Sequence, residues 1–210
     1  MIESIDNGIQ MIITALCTGI TVYNWLKDGR REWILLGLFT GTYFMGDLYW
    51  QLYLVFYHRT PVYSDIPYVS WYAAYVFLLL LLAMFSKTTA LQVLRRFWPV
   101  PVFTAGMCVF YMRYGSYVSN LVAVVIMSLL ISRCLEGIMD KRAMGAGEDG
   151  RQVYILILVL CLLEYGMWTV SCFTSGNSIA NPYYWFDVML SVDFLLITLS
   201  MTKAVAHGLY

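Results

Sequence analysis

The sequence predicts an all-α integral membrane protein with seven transmembrane helices, the N-terminus outside and the C-terminus cytoplasmic. Three observations carry this prediction. Hydrophobic residues make up 60% of the chain and charged residues 12%, against roughly 25% charge in a soluble domain. The apolar residues fall into runs long enough to cross a bilayer, which takes about 20 residues in a helix. The charges are concentrated in the connections on one side. A single transmembrane domain, residues 1–210, accommodates all of this, because the longest polar segment runs only from Asp140 to Gln152.

The first predicted span runs from Asn7 to Leu26. Its Thr14, Thr18, Thr21 and Trp25 recur at spacings that place them on one helical face, a packing face. Lys27 to Glu32 is a tight basic turn around Gly29. The second span, Trp33 to Tyr57, holds one formal charge, Asp47, and a Gly37-xxx-Gly41 pair that allows a neighbouring helix to approach closely. His58 to Pro67 contains two prolines and an aspartate and reads as a connection. The third span, Tyr68 to Phe85, opens on aromatics (Tyr68, Trp71, Tyr72, Tyr75) and continues as a leucine run. Those rings suit the headgroup level of a bilayer.

Lys87 to Trp98 is basic and partly amphipathic, the pattern of a short interfacial helix. The fourth and shortest span runs from Pro99 to Arg113, with Pro99 and Pro101 at its start, where missing amide hydrogens are tolerated. The fifth runs from Tyr117 to Gly137 and the sixth from Gln152 to Phe173. The seventh runs from Pro182 to Val205, with Pro182 suited to a first turn.

Seven spans place the termini on opposite faces. One face then collects Lys27, Arg30, Arg31, Lys87, Arg95, Arg96, Arg133, Lys141, Arg142, Arg151 and Lys203, and the other holds Arg59 and Arg113. Short loops rich in lysine and arginine face the cytoplasm, and these would also meet anionic lipid headgroups. The basic residues belong to loops of a membrane domain, so no nucleic-acid partner is expected. The acidic start MIESIDNG lacks the basic n-region of a signal peptide. The five cysteines lie in or beside apolar runs without a CxxC pair, as buried thiols do.

The acids inside the apolar runs are the candidate functional residues. At 1.5 Å per residue, Asp47, Glu164 and Asp193 each lie about 14–16 Å from the same end of their helices, and Asp187 about 8 Å. Ionisable groups at such depth are costly and mark sites. No lysine, arginine or histidine shares the layer. The acids therefore need a proton, a bound cation, a cationic ligand, or hydrogen bonds across helices. Asp47 shares a face with Tyr43, Trp50 and Gln51, and Glu164 lies near Trp168. Such rings can donate hydrogen bonds or present their faces to a cation, or serve as interfacial anchors. Asp187 shares its face with Tyr183 and Ser191, and Asp193 with Met189 and Ile197. Six residues apart, the two acids point about 120° away from each other.

Several chemistries are disfavoured. Zinc hydrolysis needs about three nitrogen, sulfur or carboxylate ligands, and no histidine lies at depth. Carboxylates suit magnesium or calcium, but no metal site and no cofactor are assigned. There is no GxSxG nucleophile elbow, and the last span has no lysine at mid-depth for a retinal Schiff base.

Gly46-Asp47-Leu48 in an apolar helix, together with Phe186-Asp187 to Asp193-Phe194 in the last one, resembles the lysoplasmalogenase-like membrane proteins. That resemblance implies an intramembrane hydrolase in which Asp47 and one of Asp187 or Asp193 act as acid and base on a lipid. The family has eight helices and carries a histidine- and tyrosine-bearing segment where this chain has Ser64-Asp65-Ile66-Pro67-Tyr68. Met45-Gly46-Asp47-Leu48-Tyr49-Trp50 followed by Tyr63-Ser64-Asp65-Ile66-Pro67-Tyr68 is similar to the seven-helix bacterial membrane sensory domains. That similarity implies a ligand sensor passing its signal to a membrane or cytoplasmic partner.

Taken together, the residues predict a multi-pass protein of the cell membrane that binds, senses or transports a small amphiphilic or cationic ligand. Asp47, Glu164 and Asp193 would form the site, with Trp50 and Trp168 beside them and Asp65 and Tyr68 at its mouth. An intramembrane lipid hydrolase and a structural partner in a membrane complex are the alternatives.

Overall fold

Proline and glycine set the ends of the elements, and the apolar runs between them are helical. A computed structural model describes residues 2–61, 66–139, 148–174, 178 and 180–206. The described residues form eight helices: α1 (Ile2–Asp28), α2 (Arg31–Tyr57), α3 (Ile66–Met84), α4 (Ala90–Arg96), α5 (Pro99–Tyr111), α6 (Tyr117–Met139), α7 (Glu148–Phe173) and α8 (Pro182–Ala206). Gly29 stops α1 with φ +69°, its N–H donating to Trp25 O at 2.7 Å, the left-handed ending that glycine adopts without strain. α4 is the amphipathic segment before Pro99. It opens on a capping box in which the Thr89 side chain and Gln92 satisfy each other's backbone N–H. Asn181 caps α8, its Oδ1 accepting from Tyr183 N at 3.1 Å and from Thr174 Oγ1 at 2.9 Å.

The structure has fewer candidate spans than the seven predicted. Among the described residues, five helices are long and apolar enough to cross a membrane: Ile5–Asp28, Ile66–Met84, Tyr117–Met139, Gly150–Phe173 and Pro182–Ala206. The chain is therefore a multi-pass membrane protein whose described residues form eight helices, not a seven-helix bundle. α2 is 27 residues long but is not among the five, because its tyrosines, tryptophans, Gln51 and Asp47 interrupt its apolar runs. α5 has 13 residues and rises only about 20 Å, short of a hydrocarbon core of about 30 Å. The predicted orientation depends on alternation through seven spans and loses that basis.

Packed neighbours run α1–α2–α3–α6–α7–α8 and back to α1, with α4 and α5 both packed on α6. The α1–α2 contact joins two features of the sequence. Thr18 and Thr21 face Gly37 and Gly41, where a Cβ on Gly37 would lie 3.0 Å from Thr21 Oγ1. Thr18 Oγ1 donates to Thr40 Oγ1 at 2.9 Å across the same interface. Between α7 and α8, Gly166 admits the Phe186 ring so closely that a Cβ there would collide with it. The ring of helices encloses an apolar core in which Leu36, Leu78, Leu130, Leu160, Leu190 and Phe194 are fully buried.

One end of the bundle is fastened by charge. Arg133 on α6 is buried, not a loop residue, and pairs with Glu136 at 2.9 Å. Its guanidinium also donates to Ser86 Oγ (2.5 Å), Thr88 Oγ1 (2.8 Å) and Thr88 O (2.9 Å), while Glu136 accepts from both hydroxyls. The α3–α4 connection is thereby held on α6, with both charges compensated, the condition a buried ion pair requires.

Candidate functional site

At the opposite end, where α2 meets the connection to α3 and α7 the connection to α8, the helices diverge around a cavity of about 260 Å³. It is lined from α1 (Asn7, Gln10), α2 (Tyr43, Trp50), α3 (Tyr68, Trp71, Tyr72, Tyr75), α7 (Glu164, Met167, Trp168, Ser171, Cys172) and α8 (Tyr183, Asp187). The stretch from Tyr111 to Ala123 around the α5–α6 turn completes the wall with Tyr114, Ser119 and Asn120. A cavity of this size takes a small solute; drug-sized pockets begin at about 300 Å³.

Its walls are mostly aromatic faces. Trp50 lies against Trp71 with centroids 5.6 Å apart and edge-on to Tyr68 at 6.3 Å. Tyr111 meets Trp168 edge-on at 6.2 Å across the α5–α7 side. Tyr43 forms the inner wall, edge-on to Tyr75 at 6.3 Å and to Phe194 at 4.5 Å. These residues recur at helical spacing: Tyr43 and Trp50 on α2, Tyr68, Trp71, Tyr72 and Tyr75 on α3. Each set therefore shares one side of its helix.

Two acids reach the cavity. Glu164 is buried and accepts from Tyr43 OH at 3.2 Å, from Tyr75 OH, and from Trp168. A carboxylate, which only accepts, satisfies all three donors. Asp187 accepts from Gln10 Nε2 at 2.6 Å and is in side-chain hydrogen-bonding contact with Asp6. Both acids are thus fixed in position by partners from other helices. No buried lysine or arginine is among the residues that line the cavity.

Asp47 stands behind the wall: Trp71 Nε1 donates to its Oδ1 at 3.1 Å, and its Oδ2 has no partner among the described residues. Asp193 is buried deeper on α8, near Cys161, and does not line the cavity. Trp50, Tyr68 and Trp168 line it, and Asp65 lies outside the described residues. The three-acid layer of Asp47, Glu164 and Asp193 therefore does not enclose one space. Glu164 and Asp187 do.

Asp6 and Gln10 are site residues that the sequence pattern alone did not single out. The signal was present. They continue the Thr14–Thr18 stripe upward at intervals of four, the spacing of one helix face. Among the described residues, no three His, Cys, Asp or Glu side chains gather as ligands for a metal ion.

Fold and cavity together define a class: a multi-pass helical membrane protein with buried, hydrogen-bonded carboxylates around an aromatic cavity. Comparison with protein-family models, with curated proteins and with solved structures finds no match.

Proposed function

We propose that this protein is a membrane-embedded binding module for a small organic cation with apolar substituents. The observation that carries the reading is the coincidence, in one cavity, of two carboxylates with the faces of Trp50, Trp71, Trp168 and Tyr68. Aromatic faces attract a cation through the ring quadrupole, and more so when it is desolvated. Glu164 and Asp187 supply the countercharge. Their oxygens already accept hydrogen bonds, so they are oriented before a ligand enters, which lowers the cost of ordering on binding.

The floor of the cavity supports binding or sensing over conduction. One turn below Tyr43, Tyr75 and Glu164 lie Phe39, Leu78 and Leu160, all fully buried. Phe39 packs on Phe194 with centroids 5.2 Å apart. A ligand seated on this floor would press on α2, α3, α7 and α8 together, a route by which occupancy could reach a partner.

Thermal unfolding in nanodiscs tests the reading. Choline should raise the midpoint in wild type, and its neutral carbon isostere dimethylbutanol should not. Equal shifts from both would remove the cation from the account.

A second reading, hydrolysis of a lipid-like substrate, has the Asp6–Asp187 contact in its favour. A carboxyl pair joined by a hydrogen bond can divide into acid and base. It predicts product release from lysolipid, lost in Asp187→Asn.

A further inference from the structure

At the end of the bundle away from the cavity, α4 turns the chain from α3 into α5, and two contacts fix its depth. Thr88, just ahead of α4, accepts from Arg133 on α6 through both its hydroxyl and its carbonyl. Thr104 on α5 bonds to Ser128 on α6 at 2.5 Å. Counting equal numbers of residues along these two antiparallel helices from that bond brings Pro99 level with Arg133. Both ends of α4 therefore meet α6 at Arg133, while α6, long enough to cross a membrane, runs on to Met139, about 9 Å further. α4 is thus a ledge recessed from the end of the bundle. Interfacial helices lie at a similar depth, about 5–10 Å into the boundary between headgroups and acyl chains.

The ledge is two-sided. α4 packs on α6 with Val93 buried, while Leu91 and Arg95, on another face, are exposed, as are Arg96 and Trp98. Neither arginine pairs with a carboxylate among the described residues. Arg96 lies over the Phe97 ring at 5.4 Å from its centroid. Two adjacent guanidinium forks without an anion from the protein suit phosphate oxygens, which they bind in bidentate fashion. From the ledge toward the other end of the bundle, α5 exposes Val102, Gly106 and Val109 at the spacing of one helix face. A Cβ on Gly106 would meet nothing within 4 Å, so the strip is open along its length.

We propose that the α4–α5 corner binds an anionic phospholipid of the surrounding bilayer, its phosphate on Arg95 and Arg96 and an acyl chain along Val102, Gly106 and Val109. Charge complementarity selects the headgroup: the ammonium of a zwitterionic lipid would be brought against two arginines, and an anionic headgroup brings no such cation. The apolar strip beginning at the ledge makes the occupant a lipid and not a free phosphate. The Arg133–Glu136 network gains a purpose, because it holds Thr88, and with it α4, at this depth. The proposal is independent of the cation site.

Native mass spectrometry of the full-length protein in a neutral detergent tests this, because the detergent removes the charge of a bilayer surface and leaves only the lipid that the protein holds. Wild type should bind one phosphatidylglycerol roughly 10- to 30-fold more tightly than phosphatidylcholine with the same chains, from two arginines each contributing about 1 kcal/mol. Arg95→Gln with Arg96→Gln should bring the two lipids close to parity while leaving tetramethylammonium affinity in place. Gly106→Leu, which fills the strip at an open position, should weaken phosphatidylglycerol severalfold and carries the test if the arginine variant fails to fold. Lys27→Gln with Arg31→Gln removes an exposed basic pair at the α1–α2 turn and should leave the preference unchanged. Glycerol phosphate in tenfold excess should not displace the lipid. Equal affinity for the two lipids in wild type would overturn the proposal, as would a preference that survives the arginine and Gly106 variants. Equal loss in both basic pairs would reduce it to general charge, and displacement by glycerol phosphate would make the corner an anion site; either result overturns the lipid assignment.

Discussion

The indole of Trp71 lies directly over Gly46: a Cβ at residue 46 would be 2.7 Å from Trp71 Nε1 and 3.0 Å from its Cδ1. Because that Cβ is missing, the indole N–H reaches Asp47 Oδ1 at 3.1 Å. The glycine, the acid beside it and a ring of the cavity wall form one unit. Asp47 thus acts on the cavity through Trp71, as a positioning residue.

Gly46→Ala should displace Trp71, break its bond to Asp47 and destabilise the protein by about 1–3 kcal/mol, the usual cost of overpacking. Tryptophan emission should shift as the indole moves, and unfolding in detergent should begin at a lower temperature. Unchanged emission and stability would show that Trp71 does not depend on the gap.

The charged network at the far end predicts an unequal pair of variants. Arg133→Ala leaves Glu136 buried without its cation and should cost about 3–5 kcal/mol. The double variant Arg133→Met with Glu136→Leu removes both charges and should recover much of that loss. Urea or thermal unfolding of the variants measures it, and ligand affinity should be unaltered wherever the protein folds.

Gly37→Leu should separate α1 from α2 by forcing side-chain bulk against Thr21. We expect about 1–3 kcal/mol of destabilisation, and faster hydrogen exchange confined to these two helices. Gly19 is the control, because a methyl group there would meet nothing within 4 Å. Gly19→Ala should be neutral or slightly stabilising, since alanine favours helix.

Much of the fold was legible because local chemistry decides it. Gly29, Pro99 and Pro182 mark helix ends by backbone geometry alone, and the threonine stripe and the Gly37–Gly41 pair each announce a close contact. Membrane crossing was legible in outline but not in number. A 27-residue helix rich in tyrosine and tryptophan, and a 13-residue helix, both look like spans on the strength of their apolar runs. The site was legible as buried acid and not as geometry. Depth along a helix follows from residue count, but its rotation follows from packing. That is why Asp193, at the expected depth, falls outside the cavity, while Asp187, nearer the helix end, lines it. Asp6 and Gln10 look like surface residues until α8 packs over α1.

Cys172 supplies a direct view of the cavity. It lines the wall, half-buried, while Cys17, Cys108, Cys134 and Cys161 are buried in the helix packing. A trimethylammonium-bearing methanethiosulfonate should modify Cys172 faster than the neutral methyl reagent, and tetramethylammonium should slow it. Reversed rates would mean that the cavity repels cations.

The central claim is that Glu164 and Asp187 make this cavity a cation site, and equilibrium titration of the protein in nanodiscs with tetramethylammonium tests it most directly. Wild type should show saturable binding at one site. Truncating one partner of a buried charge contact costs about 2 kcal/mol or more, so Glu164→Gln should weaken binding by roughly 30-fold, and the double variant with Asp187→Asn should abolish it. Binding unchanged in the folded double variant, or none in wild type, would contradict the account.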